Sequence, residues 1–255
     1  MNRIAFGLAF ALAAPICGAG VYVELVDHDL RNGTTSLLQK MYVQGGNGRF
    51  VDDGGRATLI KGDTMYILDE GDRSYIVFDQ ATKEQLAARI KLAMEQMKEQ
   101  LSKLPAEERA QFEQMLGGGA HSIEAIDTGR SETVDGRKCK VWDIRRNGEL
   151  DDQYCVVAFS QLPGKENFQA VFANFAKVFE DMAKSVPMLA GMMTNEFGAL
   201  SKVAGYPVRI RPYENGKPGD SEQLVKVWRE ESVPASMFEI PAGFTRKSMA
   251  AGALP

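Results

Sequence analysis

Glycine-bearing turn signals interrupt the chain five times between Val21 and Phe78. They are Asn32-Gly33, Gly45-Gly46-Asn47-Gly48, Asp53-Gly54-Gly55, Gly62-Asp63 and Glu70-Gly71-Asp72. Glycine adopts left-handed backbone without a Cβ clash, and Asn and Asp tolerate it, so such clusters reverse a chain within a few residues. Between them the side chains alternate. Val21, Val23 and Leu25 stand against Tyr22, Glu24 and Val26; Leu38, Lys40 and Tyr42 stand against Gln39, Met41 and Val43. Stretches 56–61, 64–69 and 74–78 continue the series. A period of two gives a strand one buried face and one partly wet face, so the pattern predicts an antiparallel meander.

Helix is expected next. Thr82 with Gln85 three residues on has the form of a capping box. Leu86, Ile90, Met94, Met97, Leu101 and Leu104 then recur at spacings of three and four, with Lys, Glu, Gln and Arg on the opposite face. This is an amphipathic helix, ended or kinked at Pro105. Pro105-Ala106-Glu107-Glu108 reads as a fresh helix start running to Leu116, before Gly117-Gly118-Gly119.

Strands return from about Ser122 to Phe159. Within this block 138–144 and 153–159 flank the turn signal Arg146-Asn147-Gly148, which predicts a hairpin. A three-residue loop sets Arg145 against Glu149 and Cys139 directly against Cys155. A cross-strand disulfide between Cys139 and Cys155 is therefore expected, acting as a staple, because the cysteines lack the Cys-x-x-Cys spacing of a redox centre. Further strands are expected at 206–213 and 223–231, around a turn at 214–219. The tail at 246–255 is expected to be flexible.

A strip of large apolar side chains at helical spacing follows Pro163-Gly164: Phe168, Phe172, Phe175, Phe179, Met182, Val186, Leu189, Met193, Phe197 and Leu200. Burying one Phe or Met is worth roughly 1.5–3 kcal/mol, so leaving ten in water forfeits on the order of 15–30 kcal/mol. A domain's net stability is only about 5–15 kcal/mol. The strip must be covered, by the protein's own sheet, by a partner or by an apolar ligand. Met182, Met188, Met192 and Met193 crowd one stretch, and methionine adapts to irregular or variable ligands. The expected ligand-binding lining is Phe172, Phe175, Phe179, Met182, Met188, Leu189, Met192, Met193 and Phe197.

The first residues read as an export signal. Arg3 precedes the apolar run Ile4 to Ala14, Pro15 breaks it, and Gly18, Ala19 and Gly20 offer a cleavage site after Ala19. The run falls short of the roughly 20 apolar residues that span a bilayer. A lipidated Cys17 is the weaker reading, because Ile16 stands where a small residue is required. The expected organisation is a signal at 1–19 and a single domain at 20–245, with a helical insertion at 80–119. The expected location is the periplasm.

The chain carries 30 basic and 34 acidic residues, a net charge of −4. That balance argues against nucleic acid as a partner, and no segment is apolar for long enough to span a membrane. Catalytic signatures are missing. His28 and His121 lack companions at metal-ligand spacing, and there is no Gly-x-Ser-x-Gly elbow, His-Glu-x-x-His or phosphate loop. His28 is expected at a strand end. The acidic clusters Asp52-Asp53, Asp69-Glu70-Asp72 and Asp151-Asp152 are expected at turns and lack the spacing of a calcium loop. No cofactor, no metal and no enzymatic activity are expected.

The segment Val233-Pro234-Ala235-Ser236-Met237-Phe238-Glu239-Ile240-Pro241-Ala242-Gly243-Phe244 resembles the closing Phe-x-x-Pro-x-Gly-aromatic motif of an exported bacterial family, a domain of unknown function (DUF 4412 type). Gly205-Tyr206-Pro207-Val208 and the block 128–155, with Cys139-Lys140-Val141-Trp142, are similar to that family's other landmarks. The family looks like a relative of the outer-membrane lipoprotein carriers (LolA/LolB-like). The resemblance implies an α+β fold: a strongly curved antiparallel sheet, an open half-barrel, with helices packed on its concave face. It implies a non-enzymatic protein that binds a lipid or lipoprotein acyl chain between sheet and helices. The alternative is an envelope protein-interaction or stress-sensing module with a collapsed, ligand-free core, meeting its partner through 82–116.

Overall fold

The computed structural model describes residues 19–103, 105, 122–185 and 198–248. The expected export signal, the second helix after Pro105, His121 and the end of the tail lie outside the described residues. The fold is α+β, built on one large open sheet in which, among the described residues, only the β13–β6 pairing is parallel.

Six strands form first: β1 (Gly20–Asp29), β2 (Thr35–Gln44), β3 (Asn47–Asp52), β4 (Arg56–Lys61), β5 (Thr64–Asp69) and β6 (Ser74–Phe78). They pair in chain order as the alternation requires. The strand β3 lies partly inside what the sequence presents as a turn. The reversal uses only Gly45 and Gly46, at φ 56° and 83°, and Asn47 already pairs with Gln44. Gly48 is a strand residue. A Cβ there would stand 2.8 Å from both Phe50 and Val171, so the glycine makes room for a helix.

That helix is the second of two. The first, α1 (Gln80–Ser102), is capped by Asp79, whose carboxylate accepts from the Thr82 backbone N–H at 2.8 Å. Thr82 is thus the third helical residue and not the cap, a correction to the capping-box reading. Leu86, Ala87 and Ile90 set α1 against Met65 and Phe78.

The second half adds β7 (Ile123–Val134), β8 (Arg137–Arg146), β9 (Glu149–Ala158), α2 (Lys165–Ser185), β10 (Gly205–Glu214), β11 (Lys217–Pro218), β12 (Ser221–Glu231) and β13 (Thr245–Arg246). The sheet order is β13-β6-β5-β4-β3-β2-β1-β12-β10-β9-β8-β7, with β11 beside β10. The β12–β1 pairing joins the two halves. The tail expected to be flexible from 246 begins inside β13: Thr245 N donates to Arg73 O and Lys247 N to Tyr75 O, at 3.0 and 2.8 Å.

The Cys139–Cys155 disulfide is present, with Cα atoms 5.3 Å apart. The expected register is not. The β8–β9 turn has two residues, Asn147 and Gly148, at φ 52° and 84°. Arg146 faces Glu149, and an irregularity beyond Arg145 leaves Cys155 opposite Val141. The disulfide therefore runs diagonally, which the Cα separation permits. The short turn also moves Asp151 and Asp152 out of the expected turn and into β9.

Packing on α2 centres on Phe168 and Val171, both fully buried. The Phe168 ring lies 4.5 Å from Trp228, 5.5 Å from Tyr206 and 5.7 Å from Phe172. Trp228 Nε1 donates to Pro163 O at 3.0 Å and fixes where the helix starts. Asn167 accepts from Gly45 N and Asn174 donates to Gly46 O, each at 2.8 Å, fastening α2 to the β2–β3 turn. Neighbours on β4 divide between two clusters. Ile60 joins Phe168 and Val171, whereas Leu59 joins Val233 and Phe238. The C-terminal segment 233–244 therefore covers the face of β4 that α2 leaves open. Its Gly243 has φ 82°, and a Cβ there would stand 2.7 Å from Arg73 Nη2.

Candidate functional site

The helix α2 contributes Phe172 and Phe175, one turn apart, to the space between itself and the sheet. Two apolar cavities open there. One, of about 320 Å³, is lined by Phe159, Phe172, Phe175, Ala176, Leu200, Ser201, Val203, Gly205 and Tyr206. The other, of about 230 Å³, lies against Gln39, Met41, Phe50, Thr58 and Val171, with Phe172, Phe175, Leu200 and Tyr206 shared between the two. Four side chains thus form a partition in one apolar space. Ligand pockets commonly hold about 300–1,000 Å³, so the larger cavity alone reaches that range.

Each wall has a local cause. Strand alternation turns Met41 inward beside Tyr42, which joins the cluster on the other face. Phe159 sits in a single helical turn (Phe159–Gln161) that ends β9. Leu200 belongs to a helical turn whose Ala199 packs with Val203 against Ile123, Ile144 and Tyr154, and Lys202 Nζ donates to Ile123 O. Gly205 is required where β10 begins, because a Cβ would meet the Val157 carbonyl at 2.1 Å.

The cavities hold little charge. Among the described residues, Tyr206 is the one buried ionisable side chain in their walls. Burial pushes its phenol well above the ordinary tyrosine range, so it is neutral, and its hydroxyl faces Met41 Sδ at 3.9 Å. Proton-transfer chemistry needs a group poised near the working pH, and this phenol is far from it.

Charge collects instead at a clamp outside the cavities. Arg209 Nη1 meets Glu132 at 2.6 Å, and Arg211 Nη2 meets Glu222 at 2.5 Å. The Arg209 hydrogen bond holds the Glu132 carboxyl below its usual range. Arg137 donates to Val225 O at 3.1 Å, and Lys226 meets Asp135 at 3.6 Å. These contacts tie the β7–β8 hairpin to β10 and β12. His28 lies near the end of β1, with Nδ1 3.4 Å from Glu222. The other acidic clusters brace turns: Asp52 accepts from Arg56 N and Asp69 from Asp72 N, at 2.8 and 2.9 Å. Among the described residues, no three His, Cys, Asp or Glu side chains come together as a metal site. No helix among them is long and apolar enough to cross a membrane.

Of the residues expected to line a ligand site, Phe172 and Phe175 face both cavities. Phe179 and Met182 lie on the α2 backbone, and their side chains are outside the described residues. Met188, Leu189, Met192, Met193 and Phe197 fall outside them altogether. Sequence reasoning missed Met41, Phe50, Phe159, Val203 and Tyr206. Alternation marks Met41 as a strand residue, but nothing local shows that it meets α2. The chain matches no known family model and no curated protein.

Proposed function

We propose that this protein is a non-enzymatic, exported binder of an apolar ligand, holding a lipid or acyl chain between α2 and the sheet. The observation that carries the reading is the pair of adjoining apolar cavities on the phenylalanine face of α2, beside the core packed around Phe168. The signal-like residues 1–19 and the Cys139–Cys155 disulfide favour an oxidising compartment such as the periplasm. The resemblance to the lipoprotein carriers, with a half-barrel and helices on its concave face, belongs to this reading. A rolled sheet is supported by Arg137. Its strand, β8, lies three spacings from β12, about 14 Å if flat. That is farther than an arginine side chain extends, yet Arg137 reaches the Val225 carbonyl.

Native mass spectrometry of protein purified from the periplasm tests the reading. The expected result is a protein carrying a lipid mass, or acquiring one on incubation with a membrane extract. A clean unliganded mass under both conditions would overturn it. One observation favours a second reading, a protein-interaction module. Beyond Ile90, α1 runs a further 12 residues to Ser102, and Leu92 is 56% exposed. A co-purifying envelope protein, lost when Leu92 is replaced by Glu, would select that alternative.

A further inference from the structure

Between Val203 and Gly205, which line the larger apolar cavity, Ala204 lines a different one. This third concavity, of about 430 Å³, is lined by Ser131, Lys138, Lys140, Trp142, Val156 and Gln161. Trp142 and Val156 pack in the same cluster as Leu200 and Val203 of the apolar site. The two spaces adjoin at the 203–205 stretch, where Gly205 pairs with Ala158 at the end of the sheet, while Lys138 and Lys140 alternate with the core-facing Cys139 and Val141 and so stand on the other face of β8.

Their chemistry is opposite. Among the described residues, the third concavity presents two lysines and no carboxylate in its lining, in a chain with more acidic than basic residues. Lys138 makes no ion pair among the described residues, and Lys140 meets Asp127 at 3.4 Å. Ser131 and Gln161 add polar groups beside the ammonium groups. Lysine is a compact point charge on a flexible stem, suited to a carboxylate or phosphate on a mobile ligand.

We propose that the ligand is a single-chain amphiphile with an anionic head group. Its tail lies in the cavities bounded by Phe172, Phe175 and Leu200, and its head passes round the sheet end at 203–205 to Lys138 and Lys140. This rests on the apolar-ligand reading above and adds the class of ligand. The small cavity volumes favour one chain over two, and the lysine pair selects the charge.

The test is titration of the purified protein with hexadecanoate and palmitoyl-lysophosphatidylglycerol, each below its micelle concentration, and with hexadecanol below its solubility limit. At low salt hexadecanoate should bind about tenfold more tightly than hexadecanol, the scale of two exposed ion pairs. Raising the salt should narrow the gap. The double variant K138Q/K140Q should abolish it and leave hexadecanol binding unchanged; both lysines are exposed, so the fold is kept. Whichever anionic ligand binds more tightly identifies the head group as carboxylate or phosphate. Equal affinity for acid and alcohol, or a gap that survives the double variant, overturns the proposal but leaves apolar binding standing. Binding of none of the three removes the apolar-ligand reading as well.

Discussion

Asp152 pairs with Ile144 on one side and Pro212 on the other, in the body of the sheet. Burial, with the charge of Asp151 added and that of Arg146 opposing, pushes its carboxyl up from 3.8 to about 6. Between those values the folded chain keeps a proton that the unfolded chain has released. The group therefore lowers stability increasingly as pH rises from 4 toward 6, and by a constant amount above that. Asp152→Asn should raise the unfolding free energy at pH 7 by about 2–3 kcal/mol and have a much smaller effect at pH 4. Urea titrations of both proteins at the two pH values check this; equal differences would mean that Asp152 ionises as an ordinary aspartate. Single positions also explain two misreadings. A Thr-x-x-Gln spacing is satisfied by Thr82, but the cap falls to Asp79, whose carboxylate also meets Arg246 at 3.0 Å. Gly48 looks like turn punctuation, but it is needed for close packing against Val171.

At the scale of elements, alternation and turn chemistry were legible, and β4, β5 and β6 begin and end where the pattern does. Register was not. The cysteine pair is written in the sequence, but an irregularity beside Arg145 shifts β9 past β8, and a side-chain alternation cannot announce one. The disulfide should nevertheless act as the expected staple. Its cysteines are 16 residues apart, and closing such a loop contributes roughly 3 kcal/mol through chain entropy. Cys139→Ala/Cys155→Ala should lower the urea midpoint by a corresponding amount, with the far-ultraviolet spectrum retained. An unchanged midpoint would show that the buried β8–β9 packing alone holds the hairpin. The α2 helix was equally visible, because its phenylalanines recur at helical spacing. Its start after Pro163-Gly164 is enforced by the Trp228 hydrogen bond.

At the scale of the molecule the question is what occupies the space between α2 and the sheet. Leu200 borders both cavities, so Leu200→Phe should partly fill them. Cavity filling commonly adds about 0.5–2 kcal/mol. Thermal unfolding should therefore show a higher midpoint, while uptake of a fluorescent fatty acid falls at least several-fold. A higher midpoint with uptake unchanged would place the ligand elsewhere. The sequence by itself determined the short antiparallel strands, the two amphipathic helices, the cysteine pair and the need to cover a phenylalanine strip. These are local matters, set by periodicity and turn residues within a few positions of one another. Only the tertiary structure decided the register of β8 on β9 and the joining of the sheet through β1 and β12. It alone brought Met41, Phe50, Phe159 and Tyr206 to one helix. Met41 and Tyr206, which meet there, are 165 positions apart, and such geometry depends on how strands order and pair, which no local pattern encodes.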